Sequence, residues 1–302
     1  MAIVELLQAS PGFLIAVCVI LGLLVGSFLN VVVYRLPIMM QRDWHEQCCE
    51  FLELKDKPPI TAEARVEFDT FNLAKPESHC PNCKHQIRPW ENIPVLSYLF
   101  LGGKCSNCKE KISLRYPSVE FINGALSGLV AYSFGATWLT LALLLLTWCL
   151  VTLTLIDYDH QLLPDDITIP LLWGGLLVNT LDLGFGVSPT DAVIGAIAGY
   201  LSLWIFYWAF KLLTGKEGMG YGDFKLLAAI GAWMGWQSLL PVIILSSLVG
   251  AIFGILMIIT MGRDRSAPMP FGPFLAGAAY IMLIWGPQLS NYYLSTMAGA
   301  GL

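Results

Sequence analysis

Apolar residues run along this chain in long blocks, with little sign of alternating or amphipathic stripes. Eight blocks read as membrane-spanning helices, at about 11–35, 118–135, 137–156, 165–182, 190–212, 223–239, 241–261 and 272–294. A helix rises about 1.5 Å per residue, so roughly 20 apolar residues cross a bilayer's hydrocarbon core. The pattern predicts an all-α polytopic membrane protein with about eight transmembrane helices. The fourth block is short and holds Pro170, Gly174 and Gly175. Such residues are tolerated where neighbouring helices re-satisfy the backbone. The first block, Pro11 to Val33, follows the acidic Glu5 and precedes the first basic side chain, Arg35. A secretion signal has a basic start and a small-residue cleavage site. This block therefore reads as a retained membrane helix that begins outside. No internal repeat or low-complexity tract is evident.

Composition agrees with this pattern. The chain has 302 residues, of which 56% are hydrophobic and 13% charged. Its mean hydropathy is +0.65. A soluble domain carries about 25% charged residues. The net charge of -5 matters less than where the charges lie. Twelve of the 17 Lys and Arg residues fall between Arg35 and Arg115. Basic residues accumulate in cytoplasmic loops, which puts this first large loop in the cytoplasm. Threading eight spans from it leaves Lys211, Lys216, Lys225, Arg263 and Arg265 on the same side. The outer connections then hold no Lys or Arg, only residues such as Asp182 and Asp191. Both chain ends are expected outside. The chain is read as a multi-pass membrane protein with its large loop in the cytoplasm. Its partners are the lipid membrane and its substrates, with no nucleic acid.

The large loop has two parts. Residues from about 40 to 78 are polar and broken by Pro58 and Pro59. Within them Trp44, Cys48, Phe51 and Leu52 fall at helical spacing. That predicts a short amphipathic helix, lying on the membrane surface or against the second part. The second part, about 79–116, holds Cys80-x-x-Cys83 and Cys105-x-x-Cys108, separated by 21 residues. Two thiolates on one tight turn fit two corners of a tetrahedron, and a second turn supplies the others. Stable disulfides are rare in the reducing cytoplasm. Zinc held by Cys80, Cys83, Cys105 and Cys108 is therefore expected, in a closed structural site. The competing reading is redox-active or unliganded thiols. His79 and His85 are possible substitute ligands but read as surface histidines. Of the other cysteines, Cys18 and Cys149 read as packing residues, and Cys48 and Cys49 are adjacent.

Acids near membrane helices are costly to bury. One cluster comprises Asp157, Asp159, His160, Asp165 and Asp166, between the third and fourth spans. Another site is Asp223, at the end of Gly220-Tyr221-Gly222-Asp223 and at the start of the sixth span. Most acids at helix ends are simply solvated. Asp165 and Asp166 follow Pro164 and suit a helix N-terminus, which they could cap. Asp157 ends a long apolar run, and Asp223 follows glycines that permit close backbone approach. These two are the candidates for a shared catalytic site. Paired carboxyls in a low-dielectric cleft share a proton, one activating water while the other donates. Helix dipoles assign Asp157, at a helix C-terminus, as the protonated member and Asp223 as the base.

Gly-Tyr-Gly-Asp223 is similar to the G-x-G-D motif of membrane aspartyl proteases. Gly26-Ser27-Phe28-Leu29-Asn30-Val31, with Arg35 and Pro37, resembles the first span of the type IV prepilin peptidases. Arg88-Pro89-Trp90-Glu91-Asn92-Ile93-Pro94, the paired knuckles and Arg115-Tyr116-Pro117 resemble their cytoplasmic domain. The Asp157 cluster and Gly218-Met219-Gly220-Tyr221-Gly222-Asp223-Phe224-Lys225 resemble their peptidase part. The resemblance covers nearly the whole chain, in order. It implies a bifunctional enzyme acting on type IV prepilins and type II secretion pseudopilins. Such an enzyme cleaves the leader after glycine, then methylates the new amino terminus with S-adenosyl-L-methionine. It maps the catalytic pair onto Asp157 and Asp223 and the zinc-type cysteines onto Cys80, Cys83, Cys105 and Cys108. The division expected is a first transmembrane helix over 1–36, a cytoplasmic loop with the zinc-binding domain over 37–117, and a seven-helix membrane aspartyl peptidase domain over 118–302.

The methyl-transfer site is less visible. There is no Gly-rich strand-to-helix fingerprint. Asn30 and Glu120 could face a polar cavity or simply join helices by hydrogen bonds. Two other classes compete for the whole chain. A transporter would use Asp157, Asp159 and Asp223 as proton or cation ligands, with inverted repeats. A membrane anchor would recruit partners through its cysteine domain and leave the aspartates unexplained.

Overall fold

The computed structural model describes residues 2–54, 70–183, 186–261 and 269–299. Pro58, Pro59, Lys55, Lys57, Arg65, Arg263 and Arg265 lie outside the described residues. The regular structure described is helical, with two isolated β-bridges. It falls into two compact units, Met1–Ala136 and Thr137–Leu302.

The first unit opens with α1 (Ala2–Ala9) and α2 (Pro11–Phe51). Ser10 is extended and Pro11 takes the first helical position, where its missing N–H costs nothing. Helix α2 is continuous for 41 residues. The first span and the expected short amphipathic helix are therefore one element. In that extension Cys49 is buried, while Trp44, Cys48, Phe51 and Leu52 are exposed. Then come a 3₁₀ turn at Pro89–Asn92, α3 (Leu96–Phe100) and α4 (Arg115–Phe134).

Glycines let α2 and α4 approach closely. Gly22 and Gly26 of α2 face Ser127, Asn123 and Glu120 of α4, and a Cβ on Gly26 would lie 2.8 Å from the Glu120 Cα. Gly124 and Gly128 of α4 face Leu23, Val19 and Ile15 in return. Both helices thus carry a Gly-x-x-x-Gly pair on the shared face, which suits helices that associate without a hydrophobic driving force. Asn123 Nδ2 donates to the Gly22 carbonyl at 2.7 Å across this seam. Arg35 is buried on α2 and donates to the carbonyls of Asn72 (2.9 Å) and Pro76 (2.6 Å). Its guanidinium also lies 5.6 Å from the Phe71 ring centroid. That side chain fastens the returning chain to the helix.

The second unit comprises α5 (Trp138–His160), α6 (Asp165–Thr180), α7 (Pro189–Thr214), α8 (Tyr221–Met234), a 3₁₀ turn at Trp236–Ser238, α9 (Leu239–Met261) and α10 (Gly272–Gly299). Thr137 caps α5 and Ser188 caps α7, each accepting from the backbone N–H three residues on. Helix α8 is buried on every side: Phe224 and all residues from Leu226 to Trp233 are covered. A helix apolar all round belongs at the centre of a bundle. Neighbours hold it by backbone approach and polar ties. Gly195 and Gly199 of α7 lie against the α8 backbone. From α6, Asn179 Nδ2 donates to the Ala232 carbonyl at 2.8 Å, and Trp233 Nε1 returns a bond to the Leu171 carbonyl at 2.8 Å.

Four helical stretches among the described residues are long and apolar enough to cross a membrane: Pro11–Phe51, Trp138–His160, Pro189–Thr214 and Trp236–Thr260. The blocks read at 165–182 and 223–239 form helices of 16 and 14 residues. Gly235, at φ 77°, ends α8 and turns the chain into the 3₁₀ segment. The apolar run continues across that break, so the sequence pattern alone extends the helix too far.

Candidate functional site

Asp157 sits in the last turn of α5, three residues before its end. Gln161 then takes a left-handed conformation (φ 53°) and closes the helix on the Asp157 carbonyl. Asp223 lies in the first turn of α8. Both carboxyl groups are buried, at 5% and 7% exposure. They lie within coulombic range of each other. Of the aspartates singled out in the sequence as catalytic candidates or their neighbours, these are the two that are buried. Asp159, Asp165 and Asp166 are exposed.

Glycines explain how the two elements meet. A Cβ on Gly222 would stand 2.7 Å from the Leu163 Cβ, so only a glycine lets the turn before Asp223 settle there. Gly222 has no positive φ, so the requirement is space rather than handedness. Leu163 also packs against Gly272 at the start of α10, where an added Cβ would be 3.2 Å from its Cδ2. The Gly272 N–H donates to Asp157 Oδ2 at 2.9 Å. Sequence reasoning missed Leu163 and Gly272. The available signal was Gly272-Pro273 opening a helix, with proline in its first turn. Asp157 thus meets a donor from α10 as well as the helix that it ends.

Around Asp223 the connection from α7 is tied down. Lys211 Nζ donates to Glu217 Oε1 at 2.7 Å and to the Tyr207 hydroxyl at 3.2 Å. Tyr221 packs against Tyr207 and Phe224, with centroids 5.3 and 5.4 Å apart. Asp165 makes no capping bond on α6. It instead takes Lys225 Nζ on both carboxylate oxygens at 2.7 Å.

In the first unit the two cysteine knuckles are near copies. The Cys80 and Cys105 carbonyls accept from the N–H groups of Lys84 and Lys109, both left-handed, with φ 58° and 61°. Bridges His79–Gln86 and Lys104–Lys111 close the two turns. The four sulfurs lie within 4.8 Å of one another. Cys80 and Cys108 sulfurs are 3.8 Å apart, and those of Cys83 and Cys105 are 3.9 Å apart. Zinc–sulfur bonds of about 2.3 Å set tetrahedral edges of about 3.8 Å, so the cluster fits such an ion without rearrangement. Asn82 Nδ2 reaches the Cys108 sulfur at 3.9 Å, and Asn107 Nδ2 the Cys83 sulfur at 3.6 Å.

Electrostatics at the cluster also suit a cation. The His85 N–H, with help from Asn107, pulls Cys83 down to about 6. The N–H groups of Cys108 and Asn107 lower Cys105. The Glu110 N–H favours the Cys108 thiolate, but burial and the neighbouring thiols push that group up to about 11. Ionising all four thiols together would need a positive charge among them. His79 Nδ1 lies 3.0 Å from the Glu77 carbonyl, and His85 Nε2 lies 3.3 Å from Glu91 Oε2, so neither joins the sulfurs. The Arg88 N–H holds the Glu91 carboxyl below its ordinary range.

Asn30 and Glu120 make interhelical and loop contacts. Asn30 Nδ2 donates to the Gly26 and Tyr116 carbonyls, both at 3.3 Å. Buried Glu120 accepts from the Val95 N–H at 2.7 Å.

Residues 20–134 match the bacterial peptidase A24 N-terminal domain, and residues 144–255 match the type IV leader peptidase family. A Stutzerimonas stutzeri protein named prepilin leader peptidase/N-methyltransferase is 55% identical over 291 residues, 96% of this chain and 97% of that protein. A protein of the same name from Pseudomonas aeruginosa is 54% identical over 97% of this chain and 98% of its own length. One from Neisseria gonorrhoeae is 51% identical over 92% of each. No solved structure matches the chain. These full-length similarities agree with the two profile matches, and the chain belongs to the type IV leader peptidase family.

Proposed function

We propose that the chain is a prepilin leader peptidase and N-methyltransferase with Asp157 and Asp223 as its catalytic pair. The observation that carries the peptidase reading is that these two carboxyl groups are buried in one unit, within coulombic range of each other. One carboxylate takes a proton from water, which attacks the scissile carbonyl. The other gives its proton to the departing amine as the carbon–nitrogen bond breaks. A glycine before the cut leaves room for the substrate backbone to approach a pair so enclosed. The substrates proposed are type IV prepilins and type II secretion pseudopilins. S-adenosyl-L-methionine would be the methyl donor, supplying an electrophilic methyl group to the new amino terminus.

The proposed setting is the bacterial inner membrane, crossed by eight helices: α2 and α4 through α10. Support comes from the eight apolar blocks and from the crowding of basic residues between Arg35 and Arg115. That crowding favours a cytoplasmic cysteine region and a dyad on the same side. A prepilin leader is basic and is followed by an apolar helix, so its cleavage point lies at that interface. The proposed organisation keeps a first transmembrane part to residue 36, within α2, a cytoplasmic cysteine-bearing segment over 37–117 that includes the rest of α2, and a peptidase part from 118. Zinc at Cys80, Cys83, Cys105 and Cys108 would be structural, since four protein ligands leave no open position.

The test is purified protein with a prepilin-like peptide, alongside Asp157→Asn and Asp223→Asn. Cleavage after glycine by wild type and loss in both variants is expected. An intact leader with wild type removes the peptidase reading. Full cleavage by either variant removes that residue from the pair.

A further inference from the structure

Asp157 and Gly272 are 115 residues apart in the chain and meet in a buried hydrogen bond. The terminal torsion of an aspartate is broad, so nothing intrinsic fixes the plane of its carboxyl group. At Asp157 that plane has an external anchor, because the Gly272 N–H points at Oδ2 from 2.9 Å. A methyl group on Gly272 would stand 2.7 Å from that same oxygen and 3.2 Å from Cγ. It would also meet Leu163, the side chain on which Gly222 rests. Gly272 has no positive φ, so its lack of a side chain serves the approach of the carboxylate.

We infer that Gly272 is a positioning residue for leader cleavage: its N–H occupies Oδ2 of Asp157 and leaves Oδ1 to face the reacting water. The inference rests on the reading of Asp157 as one of the catalytic pair. A hydrogen bond from a neutral donor to a carboxylate is charge-assisted and directional. It fixes one oxygen without adding a group that could itself transfer a proton. Leu163 packs against both glycines, so the start of α10 and the turn before Asp223 share one support.

Two variants separate the donor from the space. Gly272→Ala adds the methyl group and displaces the carboxylate. Replacing Gly272 by glycolic acid, through nonsense suppression, turns the amide into an ester. That removes the N–H and adds no bulk. Gly277→Ala, on the same helix with open space around it, is the control. Both Gly272 variants are expected to lower kcat for leader cleavage about 10²-fold, the cost of a small misplacement of a reacting group. KM should stay within about 2-fold, as should methylation of a pre-cleaved peptide. An ester variant with wild-type kcat overturns the inference. So does a parallel fall in methylation, which would mark a general structural role. Wild type and Asp157→Asn run in the same assay. If wild type fails to cleave, or Asp157→Asn cleaves fully, the underlying reading fails and the inference falls with it. If those two behave as expected and the Gly272 variants retain kcat, the inference alone fails.

Discussion

Gly195 of α7 and Gly231 of α8 touch backbone to backbone, with no room for a side chain on either. Main chain cannot rotate away as a side chain can. Gly195→Ala should therefore separate the two helices and destabilise the protein by about 1–3 kcal/mol, the usual cost of overpacking. Gly277→Ala has open space and should be neutral or slightly stabilising. Thermal unfolding of both variants in detergent checks the contrast; equal Tm values would contradict the contact.

The dyad reading makes a claim about non-additivity. Asp157→Asn and Asp223→Asn should each lower kcat for leader cleavage by about 10²–10⁴-fold. The double variant should be scarcely slower than the worse single one, because the two groups act as a unit. Multiplying losses, measured in single-turnover assays, would point to independent roles. Methylation of a pre-cleaved substrate should persist in all three.

At the cysteine cluster the two asparagines are near equivalents. Asn82→Ala and Asn107→Ala should each weaken metal affinity by about 10–100-fold, as loss of a group contacting a ligand atom does. Cys83→Ser should lose the ion altogether. Competition with a chelator measures all three. A large effect from one asparagine and none from the other would break the proposed equivalence.

Lys225 and Asp165 form a bidentate ion pair, but both side chains are well exposed, at 33% and 51%. Lys225→Ala should cost under about 1 kcal/mol and leave leader cleavage within about 2-fold of wild type. A loss near that of the Asp223 variant would give Lys225 a part in the chemistry.

Much of this was legible in the sequence because apolar blocks and paired cysteines are local patterns. The blocks at 137–156 and 241–261 correspond closely to α5 and α9. The glycine before Asp223 was read correctly as a point of close approach, though its partner was hidden. Leu163 is remote from Gly222 in sequence, and Gly272 lies 115 residues from Asp157. No periodicity encodes such a meeting. The end of α8 was missed for the opposite reason. Gly235 stops the helix, but the residues beyond it are as apolar as those before.

The 41 residues of α2 correspond to a rod of about 60 Å. The hydrocarbon layer is only about 30 Å thick, so a helix of this length that crosses it would leave roughly half of its length clear. Counted from Pro11, about 36 Å of rod precede Arg35. The hydrogen bonds from Arg35 to Asn72 and Pro76 would then grip the chain just beyond the lipid boundary. The final turns continue past that grip as a mast, with Trp44 and Phe51 exposed along it. With the apolar half of α2 across a bilayer, the Arg35 contacts would set the height at which the segment leading into the knuckles is fastened.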